Sequence, residues 1–206
     1  MQNIGVKRTA GAVVGGCPHF VPNEEFERML GERAHLHDYV KNEIRRELEG
    51  QGFKCEEEYP VEYVLPEDGK ALGKADLYCI GNGIGIVIEI KSSFISNGMP
   101  RDVVQLYLYQ HLLRRAGVKA DYALLVYRNF EEVSSRTDIE LDGNVILRLP
   151  SKYVYARLRV GDELEQSLNP EGVARELATD GYVIGRDCEK CVNTLCPLVR
   201  LRLRGT

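Results

Sequence analysis

Three residues near the middle of the chain, Asp76, Glu89 and Lys91, have the types and the spacing that metal-assisted chemistry needs. Asp76 lies in the segment GKADLY, and Glu89 and Lys91 lie in the apolar segment IVIEIKSS. Because side chains alternate along a strand, Glu89 and Lys91 point to the same face. Ionised groups near a core cost roughly several kcal/mol each unless they pair or bind a metal. A partner of opposite charge or a bound metal ion is therefore expected beside these side chains.

The turn GNG separates the two segments and predicts that they pair as neighbouring strands, which would bring Asp76 close to Glu89. Two such carboxylates repel each other unless a divalent cation lies between them. A lysine beside that cation can orient or deprotonate a water molecule, or stabilise negative charge on a phosphate. The pattern thus suits hydrolysis of a phosphodiester with Mg²⁺ or Mn²⁺. From spacing alone, a Glu–Lys pair facing water on an edge strand remains an equal alternative.

The surrounding elements predict a mixed α/β core. A helix is expected over residues 23–49, capped by Asn23 and ended by two glycines, and a second helix over residues 101–116. Three strand-like segments lie in series between these helices, and the apolar segment DYALLVYR predicts a central strand after them. A short strand is possible at VILRL. Residues 1–22 look irregular, and residues 151–180 look mainly helical.

The bulk composition fits one compact domain, or one domain with a small appendage: 206 residues, 44% hydrophobic and 28% charged. No apolar run reaches the length of a membrane span, and the first residues lack the apolar segment of a signal peptide, so we expect a cytoplasmic protein. The net charge of −4 does not indicate a nucleic-acid binder. It does not exclude one either, because binding depends on a local basic patch.

Three cysteines near the end of the chain form the pattern C-x₂-C-x₄-C, namely Cys188, Cys191 and Cys196. Clustered thiols in a cytosolic chain are typical of metal ligands. Cys17 is a candidate fourth ligand, since it is also followed by proline. Four thiolates suit either Zn²⁺ or an iron–sulfur cluster, and the spacing does not distinguish them. Cys55 and Cys79 lack such spacing and are interpreted as packing or surface residues.

The segments GKADLY and IEIKSS together resemble the D…E-x-K signature of the PD-(D/E)XK nuclease superfamily. Two further elements are similar to those of its RecB-like branch. Gln105 and Tyr109 match Q-x-x-x-Y and share a helix face. Gly31 and His35 match G-x-x-x-H. The elements occur in the expected order over residues 31–109, and although none is specific alone, their combination is.

The resemblance implies a role for each matched position. The ligands of a divalent cation would be His35, Asp76, Glu89 and the backbone carbonyl of Ile90. Lys91 would position or activate the attacking water, and Gln105 and Tyr109 would orient the DNA strand and support the lysine. The glycine spacing favours His35 over His37, although His37 lies within the apolar stripe of its predicted helix.

One cysteine before the nuclease motifs and three clustered after them resemble the CRISPR-associated protein four family. In that family the four cysteines hold an iron–sulfur cluster, which implies this role for Cys17, Cys188, Cys191 and Cys196. Of the two cluster types with four cysteine ligands, [4Fe–4S] is expected as the commoner, and [2Fe–2S] stays open. The cluster would join the two ends of the chain around the nuclease core.

The implied fold is a restriction-endonuclease-like core, with a central mixed sheet flanked by helices, and a small helical iron–sulfur subdomain. The corresponding divisions are an N-terminal segment that supplies one cysteine (1–22), the nuclease core (23–150) and a helical, cluster-binding region (151–206). The implied activity is metal-dependent cleavage of single-stranded DNA as an exonuclease, with 5′ to 3′ polarity expected. It would trim spacer precursors in CRISPR adaptation, with the integrase proteins as partners and no membrane.

Two other functions remain compatible with the sequence. The first is a DNA-binding or scaffold protein held together by zinc, without catalysis. It explains the cysteines but treats the ordered acidic motif as coincidence. The second is the nuclease module of a DNA-repair helicase complex. The chain has no G-x-x-x-x-G-K-[ST] phosphate loop, so it has no P-loop motor of its own.

Overall fold

The computed structural model describes residues 2–6, 24–64, 69–94, 100–128, 136–141, 145–158, 191, 192 and 196. Within these residues the helices are α1 (Glu24–Glu49) and α2 (Pro100–Arg115). The strands in chain order are β1 (Gln2–Gly5), β2 (Lys54–Val64), β3 (Gly69–Gly81), β4 (Ile84–Phe94), β5 (Tyr122–Arg128), β6 (Arg136–Leu141), β7 (Val145–Pro150) and β8 (Tyr153–Leu158).

Six of these strands form one mixed sheet, in the order β1-β3-β4-β5-β8 with β2 also paired to β3. The β1–β3 and β4–β5 pairs are parallel, whereas β2–β3, β3–β4 and β5–β8 are antiparallel. Since β2 follows one edge of β3 over nearly its whole length, β1 and β4 share the other edge. The predicted mixed α/β core, the three successive strands and the central position of the apolar strand β5 are confirmed.

The two helices pack on opposite faces of this sheet. Helix α1 buries Val40, Ile44 and Leu48, spaced by four residues, against alternate residues of β4 such as Ile88. Helix α2 packs with the other face, which includes Val87 of the same strand. Full burial of each such aliphatic side chain contributes about 1.5–3 kcal/mol. Because side chains alternate along β4, Glu89 and Lys91 share the α2 face with Val87.

The separate β6–β7 hairpin lies against α1. Gln51, just after α1, donates from Nε2 to the Arg148 carbonyl and accepts from the Arg148 amide, each at 2.9 Å. In the turn after β7, Lys152 Nζ lies 2.7 Å from Oε1 of Glu43 on α1. These contacts fix the outer side of α1, the helix from which a histidine reaches the sheet.

Two predictions about the ends of the core are wrong for the residues that the structure describes, while residues 7–22 and 159–180 lie outside them. Residues 151–180 looked helical, but Tyr153–Leu158 form β8, which pairs with β5. Residues 1–22 looked irregular, but Gln2–Gly5 form β1, which pairs with β3. The sheet therefore extends beyond both expected core boundaries, at residues 23 and 150. Tertiary pairing overrides weak local preference in such short edge segments.

The interpretation of Cys55 and Cys79 as separate packing or surface residues is also corrected. They lie directly opposite each other on β2 and β3 and form a disulfide, with an S–S distance of 2.02 Å. Sequence spacing could not indicate this pair, because the register of two strands decides which residues are opposite. None of the described helices is both long enough and apolar enough to span a membrane.

Candidate active site

The site begins where β3 and β4 separate. The antiparallel register between these strands ends at the pair Leu77 and Ile88. Beyond it, the Ile90 amide donates a hydrogen bond of 2.6 Å to Oδ2 of Asp76 rather than to a backbone carbonyl. The carboxylate of Asp76, which is 7% exposed, is thereby fixed beside the end of β4. This bond joins Asp76 to the strand that carries Glu89 and Lys91. The predicted closeness of the Asp76 and Glu89 carboxylates stays a prediction.

Helix α1 brings His37 to the same carboxylate. His37 Nε2 lies 3.1 Å from Asp76 Oδ2. The hydrogen bond to Asp76 raises the pKa of His37 above its ordinary value, against the opposing effect of burial. Burial raises the pKa of Asp76, but the bond and charge of His37 and the Ile90 amide outweigh it and lower this pKa overall. The hydrogen bond between the two side chains therefore favours the charged form of each.

The sequence motif predicts His35 as the metal-ligand histidine, but it is His37 that the structure brings to Asp76. His35 is exposed, whereas His37 faces the sheet. The signal was present in the sequence, because His37 precedes Val40, Ile44 and Leu48 on the apolar stripe of α1 at spacings of three, seven and eleven residues. A match to the glycine spacing outweighed that periodicity in the prediction.

A second group of polar side chains surrounds Glu89, which is 1% exposed. Glu89 Oε1 accepts hydrogen bonds from Lys91 Nζ at 2.6 Å and from Gln105 Nε2 at 2.7 Å. Gln105 Oε1 accepts from Lys91 Nζ at 3.1 Å, and Gln105 Nε2 also donates to the Tyr109 hydroxyl at 3.1 Å. The structure thus brings the four residues of the two motifs into one network.

The charge of Lys91 is stabilised within this network. Burial lowers its pKa, but the charges of Glu89 and Asp102 and the bond to Glu89 outweigh burial, so the pKa is raised. Lys91 is accordingly an ammonium ion near neutral pH, suited to attract an anion rather than to accept a proton.

Two residues of the network were missed by sequence reasoning. Asp102, in the first turn of α2, has Oδ1 at 3.5 Å from Lys91 Nζ. The Tyr127 hydroxyl on β5 donates to Asp102 Oδ2 at 2.9 Å. The spacing of Asp102, Gln105 and Tyr109, three and then four residues, places all three on one face of α2. That spacing could have indicated Asp102, whereas Tyr127 depends on the pairing of β4 with β5.

The close approach of Tyr109 to β3 requires a glycine. A Cβ on Gly73 would lie 2.7 Å from Cε1 of Tyr109 and 3.1 Å from the Cβ of Val6, just after β1. Tyr109 is fully buried, and burial, with the charge of Glu89, raises the pKa of its hydroxyl. Its phenol is therefore a neutral hydrogen-bonding group that supports Gln105.

The donor set suits a hard divalent cation, with two carboxylates and one imidazole. His37 Nε2 and Asp76 Oδ2 already meet, at 3.1 Å as hydrogen-bond partners. Glu89 instead bonds Lys91 and Gln105. Among the residues that the structure describes, no group of three or more His, Cys, Asp or Glu side chains already forms a metal site. The donor types fit a divalent cation, and binding it through all three side chains would require Glu89 to turn from Lys91 toward Asp76.

The four cysteines predicted to bind a cluster are only partly visible. Cys191 and Cys196 are described, and both are buried. Cys17 and Cys188 lie outside the described residues. The cluster therefore stays a prediction.

No protein-family model matches the chain, and no curated protein matches it. Among solved structures, the crystal structure of a protein named SSO0001 is similar to this chain, with a TM-score of 0.52 and 18% sequence identity, over 96% of this chain and 87% of that one. At this level of identity, the likeness supports the fold of the chain and says nothing of its activity.

Proposed function

We propose that the chain is a divalent-metal-dependent deoxyribonuclease whose active site comprises His37, Asp76, Glu89, Ile90 and Lys91. The observation that supports it most is the joining of two separately predicted motifs. Gln105 of Q-x-x-x-Y bonds both charged residues of E-x-K, Glu89 and Lys91. A chance match of short patterns would not require these side chains to meet.

In this proposal, His37, Asp76, Glu89 and the Ile90 carbonyl bind the cation. A bound Mg²⁺ or Mn²⁺ would act as a Lewis acid toward the phosphate and the attacking water. Lys91 places its ammonium group beside the site, where it attracts the phosphate and stabilises the negative charge that develops on its oxygens. Gln105 orients Lys91 through the bond of 3.1 Å, and Tyr109 fixes Gln105.

The substrate and the biological role rest on the family resemblance described above. It favours single-stranded DNA, exonuclease cleavage with 5′ to 3′ polarity, and processing of spacer precursors in CRISPR adaptation beside the integrase proteins. We also propose an iron–sulfur cluster on Cys17, Cys188, Cys191 and Cys196, with [4Fe–4S] favoured. The thiolates would hold it as a structural crosslink.

The nuclease proposal is tested with protein stripped of metal by EDTA and single-stranded DNA labelled at either end. Adding Mn²⁺ should start cleavage, and renewed EDTA should stop it. Stepwise shortening from one labelled end reports exonuclease polarity. The variant Asp76→Asn should keep its fold, by circular dichroism, and lose cleavage. Intact DNA with wild-type protein over a range of Mn²⁺ and Mg²⁺ concentrations would refute the proposal.

The cluster proposal has a separate test. Protein purified without oxygen should be brown and contain iron and acid-labile sulfide, and the iron content should distinguish the two cluster types. Cys191→Ala should lower the iron content and the melting temperature. A colourless protein with one zinc per chain would refute the cluster and leave the nuclease proposal untouched.

A further inference from the structure

We infer that Asp102 is a positioning residue for Lys91. The Asp102 carboxylate keeps the Lys91 ammonium in place when Glu89 turns to bind the divalent cation. This inference rests on the proposed nuclease function. It assigns to Asp102 a role that neither of the two sequence motifs includes.

Asp102 is the second carboxylate beside the Lys91 ammonium. Lys91 Nζ lies 2.6 Å from Glu89 Oε1 and 3.5 Å from Asp102 Oδ1. All three side chains are largely buried, with exposed fractions of 16% for Lys91, 2% for Glu89 and 4% for Asp102. A buried carboxylate is costly without a cation or hydrogen bonds. Because one ammonium supplies a single positive charge to two buried carboxylates, we expect Glu89 and Asp102 to have different roles.

The proposed cation gives Glu89 a task that conflicts with holding Lys91. A carboxylate that binds a divalent ion attracts a nearby ammonium less, and the ion itself repels that ammonium. Because the interaction scales with the product of the charges, a divalent ion repels the ammonium about twice as strongly as a monovalent ion at the same distance. Asp102 is not among the proposed metal ligands, so its ion pair with Lys91 does not compete with the cation.

Strand β5 fixes the orientation of Asp102. Tyr127 lies directly opposite Lys91 in the parallel register of β4 and β5, so the two side chains are neighbours on one face of the sheet. The Tyr127 hydroxyl donates to Asp102 Oδ2, which leaves Oδ1 as the oxygen nearer to Lys91. Asp102 from α2 thus bridges two residues that the sheet already places side by side.

A structural role for Asp102 must be separated from this one, because a carboxylate in the first turn of a helix stabilises the helix. The experiment compares Asp102→Asn, which keeps the size of the side chain, with Gln110→Met. Gln110 is also buried on α2, but its side-chain amide donates to the Ala120 and Asp121 carbonyls, each at 3.1 Å. Asp102→Glu tests rescue by a restored charge.

The first measurement needs no activity: the rate at which a lysine-specific acylating reagent labels Lys91, read by mass spectrometry. Asp102→Asn should label severalfold faster than wild type, with Gln110→Met at the wild-type rate. An unchanged rate in Asp102→Asn would overturn the inference, whether or not the chain cleaves DNA.

The second measurement is cleavage of single-stranded DNA in Mn²⁺. Asp102→Asn should lower kcat about tenfold or more, a loss of about 1.4 kcal/mol of transition-state stabilisation. KM, Mn²⁺ affinity and melting temperature should stay near wild type, and Asp102→Glu should recover part of kcat. A joint fall of kcat, Mn²⁺ affinity and melting temperature would show a structural role and overturn the inference. Inactive wild-type protein would refute the nuclease function, and the labelling result would still decide whether Asp102 holds Lys91.

Discussion

His37 Nε2 lies 3.1 Å from Asp76 Oδ2, and this contact joins helix α1 to the point where β3 and β4 separate. It links His37 on α1 to the Asp76 carboxylate, which also accepts a hydrogen bond from the Ile90 amide. The contact makes α1 part of the candidate site, and it is the reason for proposing His37 rather than His35 as a ligand beside Asp76.

The two histidines provide a matched pair of variants. His37→Ala should lower Mn²⁺ affinity about tenfold or more, since loss of one ligand of a divalent ion costs at least about 1.4 kcal/mol. His35→Ala should leave the affinity within about twofold, because His35 is exposed. Calorimetric titration with Mn²⁺ measures both. A loss of affinity in His35→Ala and none in His37→Ala would restore the motif-based choice.

A methyl group on Gly73 should disturb the support of the site. Its Cβ would lie 2.7 Å from the Tyr109 ring, so Gly73→Ala should displace Tyr109 or β3 and lower the free energy of unfolding by about 1–3 kcal/mol. Gly50→Ala is the control, because its Cβ would meet carbonyl oxygens only at 3.4 and 3.6 Å. Urea unfolding measures both variants, and equal stability would contradict the packing described for Tyr109.

The disulfide should contribute to stability through the loop that it closes. Cys55 and Cys79 are 24 residues apart, and closing a loop of this size stabilises a fold by about 3 kcal/mol. Reductant should therefore lower the free energy of unfolding of wild-type protein. Reductant should not change the free energy of unfolding of the double variant Cys55→Ala, Cys79→Ala. Thiol counting under denaturing conditions checks the bond directly, and two additional free thiols in unreduced wild-type protein would exclude it.

Lys41 should make stability depend on pH in the alkaline range. Burial lowers the pKa of Lys41, but hydrogen bonds and charges of Glu58 and Asp38 outweigh burial and raise it above 10.5. A raised pKa in the folded state means that the stabilisation is fully present below pH 10.5. It is lost as pH rises through the folded-state value.

The difference in unfolding free energy between wild type and Lys41→Met should thus be constant from pH 7 to about 10 and shrink at higher pH. Urea unfolding at several pH values measures it. Lys54→Met, at an exposed lysine on β2, is the control and should show little difference at any pH. A difference that grows above pH 10.5 would contradict the ion pairs assigned to Lys41.

The elements nearest the site were predictable because local pattern and burial agree there. The apolar stripe of α1 predicts a helix with that stripe against the sheet, and the continuous apolar run of β5 predicts a strand buried within the sheet. The strand–turn–strand pattern predicts the pairing of β3 with β4, and the helical spacing of Gln105 and Tyr109 predicts their shared face. Residues on well-defined periodic elements can be placed from sequence alone.

The remaining contacts depend on tertiary pairing, which leaves little trace in a single sequence. The Cys55–Cys79 bond follows from the register of β2 with β3, and the position of Tyr127 follows from that of β4 with β5. Strand β8 is a short segment that becomes a strand because β5 offers it an open edge. The position of His37 beside Asp76 differs from these, because the periodicity of the helix indicates it while the short glycine motif favours His35.

The most direct test of the nuclease site is Mn²⁺-dependent cleavage of single-stranded DNA by wild-type protein and Glu89→Gln. Glutamine keeps the size of the side chain and a hydrogen-bonding oxygen, but it removes the charge that the cation needs. Wild-type protein should cleave the DNA only with the metal present, and the cleavage rate of Glu89→Gln should be lower by at least about a hundredfold. The melting temperatures of the two proteins should agree within a few degrees. Cleavage by Glu89→Gln at the wild-type rate would contradict the assigned site.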